Sequence, residues 1–178
     1  FNYFGIDAFN EQKIGFAYAR QLFDNFSIGA QFDFLNTQIQ DYGSTNAITF
    51  ELGCLINILP DLTFGFHLYN PVQVELIEGE SLPAVYKAGI GYQPSKKALV
   101  TIEVEKDIDY NARFRAGLEY QFLDTFFLRV GAATEPVLAS IGIGTKLKNG
   151  LALDIGSTYH QYLGISPSVG VIYNVSKE

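Results

Sequence analysis

The sequence predicts an all-β fold, an antiparallel up-and-down transmembrane β-barrel of about twelve strands. Three observations predict it. Apolar and polar residues alternate with period two along nearly the whole chain. Turn-forming residues punctuate that alternation at short intervals. Third, 48% of the 178 residues are hydrophobic, yet no apolar run lasts the ~18 residues that a membrane helix needs.

In chain order the strands are expected at 2–9, 12–22, 26–37, 47–59, 62–70, 84–93, 98–106, 110–122, 126–134, 138–147, 151–160 and 168–176. The third rests on Phe26, Ile28, Ala30, Phe32 and Phe34 alternating with Ser27, Gly29, Gln31 and Asp33. The fourth rests on Ile48, Phe50, Leu52, Cys54 and Ile56, and the fifth on Leu62, Phe64, Phe66 and Leu68. The rows Tyr86 to Tyr92 and Val100 to Val104 mark the next two. Ala112 to Phe122, Phe126 to Ala132, Leu151 to Ile155 and Val169 to Val175 continue the pattern. Asp24-Asn25, Pro60-Asp61, Pro94-Ser95-Lys96, Asp124-Thr125 and Lys148-Asn149-Gly150 supply tight turns. Between them fall longer links at 38–46, 71–83 and 161–167, and short ones near 107–109 and 135–137. A meander puts the tight turns on one edge and the longer links on the other, the asymmetry of outer-membrane barrels. Lys87-Ala-Gly-Ile-Gly-Tyr-Gln93 and Arg115-Ala-Gly-Leu-Glu-Tyr-Gln121 form a weak internal repeat. No linker appears, so residues 1–178 read as one barrel domain.

Alternation does not say which row faces the core. Twelve strands would enclose more space than side chains fill, so an apolar interior is disfavoured. A soluble two-sheet β-sandwich binding module is the alternative. The other row argues for the membrane: it is rich in Gly and carries ions of both signs. Glu51, Lys87, Glu103, Glu105, Arg113, Arg115, Glu119 and Arg129 form a structural charge ladder expected to line the lumen, with Glu119 opposite Arg129 and Glu103 and Glu105 near Arg113 and Arg115. Phe23, Phe26, Tyr92, Phe122, Phe126, Tyr159 and Tyr162 lie near strand ends, as interfacial girdles do.

The net charge of −7 offers no basic footprint for nucleic acid. A single cysteine, Cys54, excludes an internal disulfide and a cysteine zinc cluster, and reads as a small hydrophobe. A Ser157/His160/Asp154 triad is the best catalytic candidate, but Asp154 and His160 share one strand face and Ser157 takes the other. The chain is therefore expected not to be an enzyme. His67 and His160 are far apart in sequence with no ligand spacing, so neither metal nor cofactor is implied. His67 reads as an inward polar residue near Tyr69 and Glu51. The loop from Asn70 to Pro83 is the longest, and Glu75, Ile77, Glu78 and Glu80 make it a candidate partner-binding loop. Tyr42 and Ser44-Thr45-Asn46 form a second exposed tip.

Leu82-Pro-Ala-Val-Tyr-Lys-Ala-Gly-Ile-Gly-Tyr92, Arg115 to Gln121, Phe127-Leu-Arg-Val-Gly-Ala132 and Asp154 to Tyr173 carry a resemblance to the FadL-like outer-membrane barrels. Within these the chain resembles most the branch of PorV and PorQ proteins of type 9 secretion. The resemblance covers most of the chain but rests on diffuse strand patterns. It implies about fourteen strands in the full-length protein, preceded by an N-terminal plug with an Asn-Pro-Ala motif. Here Asn70-Pro71-Val72 lies in a mid-chain loop instead, so the plug and first strands are expected to be missing and Phe1 to begin a processed or partial chain. The resemblance implies the outer membrane of a Gram-negative bacterium, contact with its lipids, and a non-enzymatic accessory or scaffold role in an envelope protein export or assembly complex, beside outer-membrane or periplasmic subunits. The alternative is a FadL-like channel for hydrophobic small molecules.

Overall fold

The computed structural model describes residues 1–6, 8–40, 43–77, 80–147 and 150–173, with backbone alone at 76, 77 and 80. The strands are β1 (Asn2–Ile6), β2 (Phe9–Phe23), β3 (Phe26–Ile39), β4 (Gly43–Leu59), β5 (Leu62–Tyr69), β6 (Glu75–Ile77), β7 (Glu80–Ser81), β8 (Val85–Ser95), β9 (Ala98–Asp107), β10 (Arg113–Leu123), β11 (Phe126–Ala133), β12 (Leu138–Lys146), β13 (Leu151–His160) and β14 (Gly164–Tyr173). Twelve of them follow one another in sequence order in a single sheet, with β6 and β7 paired apart as a small hairpin. One continuous meander excludes the two-sheet sandwich.

Several boundaries differ from expectation for physical reasons. The link expected at 38–46 contracts because β3 and β4 stay paired up to Ile39 and Gly43, helped by an Asn36–Asn46 side-chain hydrogen bond of 2.8 Å. The expected link 161–167 also shortens. Ser166 and Pro167 read as loop, yet they pair with Thr158 and Ser157. Residues 110–112 leave the expected strand because Asp107 folds back on them: its side chain accepts from the Asp109 N–H at 3.1 Å and its carbonyl from Tyr110 at 3.3 Å. The turn residues Lys148 and Asn149 lie outside the described residues, as does Tyr42.

Two of the tight turns share a design. At the 24–25 turn and again at the 124–125 turn a glutamine, Gln21 or Gln121, donates to the carbonyl of the first turn residue, Asp24 or Asp124, at 3.1 and 2.7 Å. Both strands bulge there, just after the glutamine. The second turn residue then accepts an N–H from the following hairpin: Asn25 from Asn57, Thr125 from Lys146, each at 2.8 Å.

The sheet comprises two compact units. The first is Phe1–Ile58 with Phe64–Ala88 and Lys106–Asn111, and the second is Leu59–Thr63 with Gly89–Glu105 and Ala112–Glu178. In each, one face is apolar and exposed. In the first unit Phe16, Phe32 and Phe50 share a rung, as do Ile14, Phe34 and Ile48. Phe16 is 78% exposed and Phe32 65%. In the second, Leu118, Val130 and Ile141 share a rung, and Ile141 is 60% exposed. Among the described residues the buried hydrophobic ones are three alanines, Ala47, Ala84 and Ala152, and Phe127. A water-soluble domain buries its large apolar row. This chain displays it, and an apolar face of that extent marks a surface meant for another apolar phase.

The apolar face has an edge. Above the Ile14–Phe34–Ile48 rung the next is Gln12–Asn36–Asn46, and Asn10 and Gln38 follow. From Ile48 down to Ile58 the exposed apolar row of β4 runs about 34 Å at ~3.4 Å per residue. Tilted by ~40°, that matches the height of the apolar band of an outer-membrane barrel, ~25 Å. With 15, 14 and 17 residues, β2, β3 and β4 exceed the ~9–11 residues a spanning strand needs. Their surplus is the polar extension past the belt.

Candidate functional site

The polar face of each unit carries an ionic network built by strand register. In the second unit Arg113 stands opposite Glu105 and Arg115 opposite Glu103. Arg115 donates to Glu103 at 2.7 Å and reaches Glu105 at 2.8 Å, while Arg113 is 3.9 Å from Glu105. Glu119 faces Arg129 and accepts from its Nε at 2.5 Å. The other end of the Arg129 guanidinium closes on Asp154. Glycine makes room for this: a Cβ on Gly144 would sit on the Asp154 carboxylate and 2.8 Å from Arg129 Nη1. Phe127, 8% exposed, lies beneath Lys146 with 4.5 Å from ammonium to ring centre.

The first unit holds a denser network. Lys13 lies 2.8 Å from Asp33 and 2.6 Å from Glu51. Glu51 also meets His67 Nε2 at 2.8 Å. Gln31 donates to Asp33 at 2.7 Å, and Lys13 rests 5.1 Å from the centre of the Tyr69 ring. Asp33 has no exposed surface. A buried carboxylate costs several kcal/mol unless paired, so Lys13 and Gln31 are what let Asp33 stand there. Gly15 is required for the same reason, since a Cβ there would lie 2.7 Å from Asp33 Oδ1 and 2.8 Å from Gln31 Nε2.

The ladder residues Glu51, Glu103, Glu105, Arg113, Arg115, Glu119 and Arg129 therefore fall into separate ion-paired groups, and Lys87 lies half-buried on β8. Lys13, Asp33 and Asp154 complete these groups and were not in the expected ladder. The alternation of β3 already put Asp33 on the row of Gln31 and Gly29. Of the candidate loop, Glu75 opens β6, the backbones of Ile77 and Glu80 pair across the β6–β7 hairpin, and Glu78 lies outside the described residues. The triad does not assemble. Asp154 is held by Arg129. His160 Nδ1 accepts from the backbone of Tyr162 at 3.1 Å and Leu163 at 3.2 Å. Ser157 pairs between Ile141 and Pro167 on the apolar face. Among the described residues no three His, Cys, Asp or Glu gather as a metal site.

An exposed apolar belt on a single antiparallel meander, with the ion-pair networks on the other face, defines the class: an outer-membrane β-barrel. No protein-family model and no curated protein matches the chain. Solved structures do. The Ralstonia pickettii toluene transporter TbuX is similar at a TM-score of 0.68 and 14% identity, over 90% of this chain and 65% of that one. A Pseudomonas aeruginosa FadL homologue gives 0.61 and 13%, over 86% and 61%. The CymD monoaromatic hydrocarbon channel gives 0.64 and 14%, over 92% and 71%. The fold is thus that of the FadL-type outer-membrane barrels. The PorV/PorQ branch receives no support from these likenesses. The chain spans just under two thirds of TbuX and of the FadL homologue.

Proposed function

We propose that this chain is barrel wall from a channel for hydrophobic small molecules in the outer membrane of a Gram-negative bacterium, and that it works without catalysis. One observation carries the reading: nine-tenths of the chain follows the fold of a toluene transporter. A salt-bridged polar face would by itself favour the accessory-subunit reading over a channel. The ion groups weaken that argument. In each group the cation sits among carboxylates contributed by other strands of the same unit, so these groups brace the wall and do not require a protein partner. Lipids would contact the exposed apolar face.

The test uses the full-length protein purified in mild detergent, with toluene competing against a fluorescent hydrophobic probe. Saturable displacement is expected. Absence of displacement, together with stoichiometric co-purification of a second envelope protein, would return the accessory reading.

A further inference from the structure

The two ends of the segment between β5 and β8 are tied to each other and to the sheet. Asn70 follows directly on β5, and its backbone turns into the left-handed region at φ 47°. There its N–H donates to the Phe50 carbonyl on β4 at 3.1 Å and its own carbonyl accepts from Gln73 at 3.1 Å. The side-chain amide is saturated. Its Oδ1 accepts from Thr49 Oγ1 at 2.9 Å and from the Val74 N–H at 3.0 Å. Its Nδ2 donates to the carbonyl of Leu82 at 2.8 Å and approaches that of Pro83 at 3.4 Å. One residue thus ties both ends of the loop to each other and to the sheet. Leu82 N–H to Val74 carbonyl, at 2.8 Å, closes the neck, and the β6–β7 hairpin lies beyond.

The side of the sheet is fixed by Thr49. It stands in register with Asp33, on the polar face. Thr49 is 1% exposed, buried like its register partner Asp33, and Asn70 and Ala84 have no exposure at all. The level is fixed by Phe50, one rung below the outer edge of the apolar belt.

We propose that the two roots of this loop, residues 70–74 and 82–84, form a strap laid across the polar face of β4 at the outer edge of the belt, and that Asn70 is the positioning residue that latches it. The strap narrows the passage along that face and sets the size of solute admitted. This last step rests on the channel reading, whereas the latch itself does not.

Two readouts on the full-length protein separate the two. Hydrogen exchange of the barrel in nanodiscs reads the latch. The amides of Gln73, Val74 and Leu82 should be protected in the parent, and in Asn70→Gly, which keeps the backbone turn but loses the amide, they should exchange at least tenfold faster while β2–β3 peptides are unchanged. Thr49→Val removes one of the side-chain bonds and should give a smaller increase; it also serves if Asn70→Gly fails to fold. Unprotected amides in the parent, or the same protection in folded variants, overturn the latch. Sensitivity of expressing cells to a bulky hydrophilic antibiotic reads the constriction. It should rise several-fold with Asn70→Gly. A loosened strap without any rise overturns the constriction, and toluene binding in the parent reports the channel reading separately.

Discussion

Arg129 shows how much one side chain can organise on this wall. It joins Glu119 on β10 to Asp154 on β13, bridging across β12. The group is partly open, so screening limits its worth to about 1–2 kcal/mol. The sign is still clear. Arg129→Met leaves two carboxylates with no cation between them, and it should lower stability in urea-unfolding measurements more than the triple change Arg129→Met, Glu119→Gln, Asp154→Asn. Gly144→Ala should cost about 1–3 kcal/mol by the same assay, because its Cβ displaces the pair itself. Gly131→Ala, where the nearest atoms are 3.4 and 3.9 Å away, should cost far less. At this scale the sequence was only partly legible. Glu119 and Arg129 are close enough along one hairpin for register to pair them. Lys13 and Asp33 meet Glu51 across two hairpins, and Asp154 reaches Arg129 across an intervening strand. Asn70-Pro71 reads as an ordinary turn. Whether the loop stands away or folds back depends on Thr49, a hydroxyl 21 residues upstream.

Among the elements, β4 carries the most information. Its even-numbered residues change from polar to apolar between Asn46 and Ile48, and neighbouring strands change on the same rung. That alignment locates the membrane edge more closely than hydropathy of any single strand could. Leu52, 43% exposed, lies near the middle of the belt on a rung with Ala30. Leu52→Arg should destabilise folding into lipid vesicles by about 2–4 kcal/mol, while Asn46→Arg should cost about 0–1 kcal/mol. Equal costs would show that the belt edge is misplaced. Strand existence and phase were readable because period two survives every turn. The ends were less so, because Asn, Gln and Ser in the extensions resemble loop sequence and are held in the sheet by cross-strand pairing.

For the molecule as a whole, an apolar composition without a membrane helix becomes intelligible once alternate residues face lipid. The polar row is then free to carry paired ions, close-set glycines and a latched strap. On the proposed channel reading these features would serve a passage with a braced wall, and the likeness to hydrocarbon transporters supplies its proposed cargo. The most direct measurement is the initial rate of toluene entry into cells with an intact lipopolysaccharide leaflet, with and without the full-length protein folded in the outer membrane. Entry should be several-fold faster with the protein and should saturate as toluene increases. An unchanged rate with folded protein present would contradict the channel.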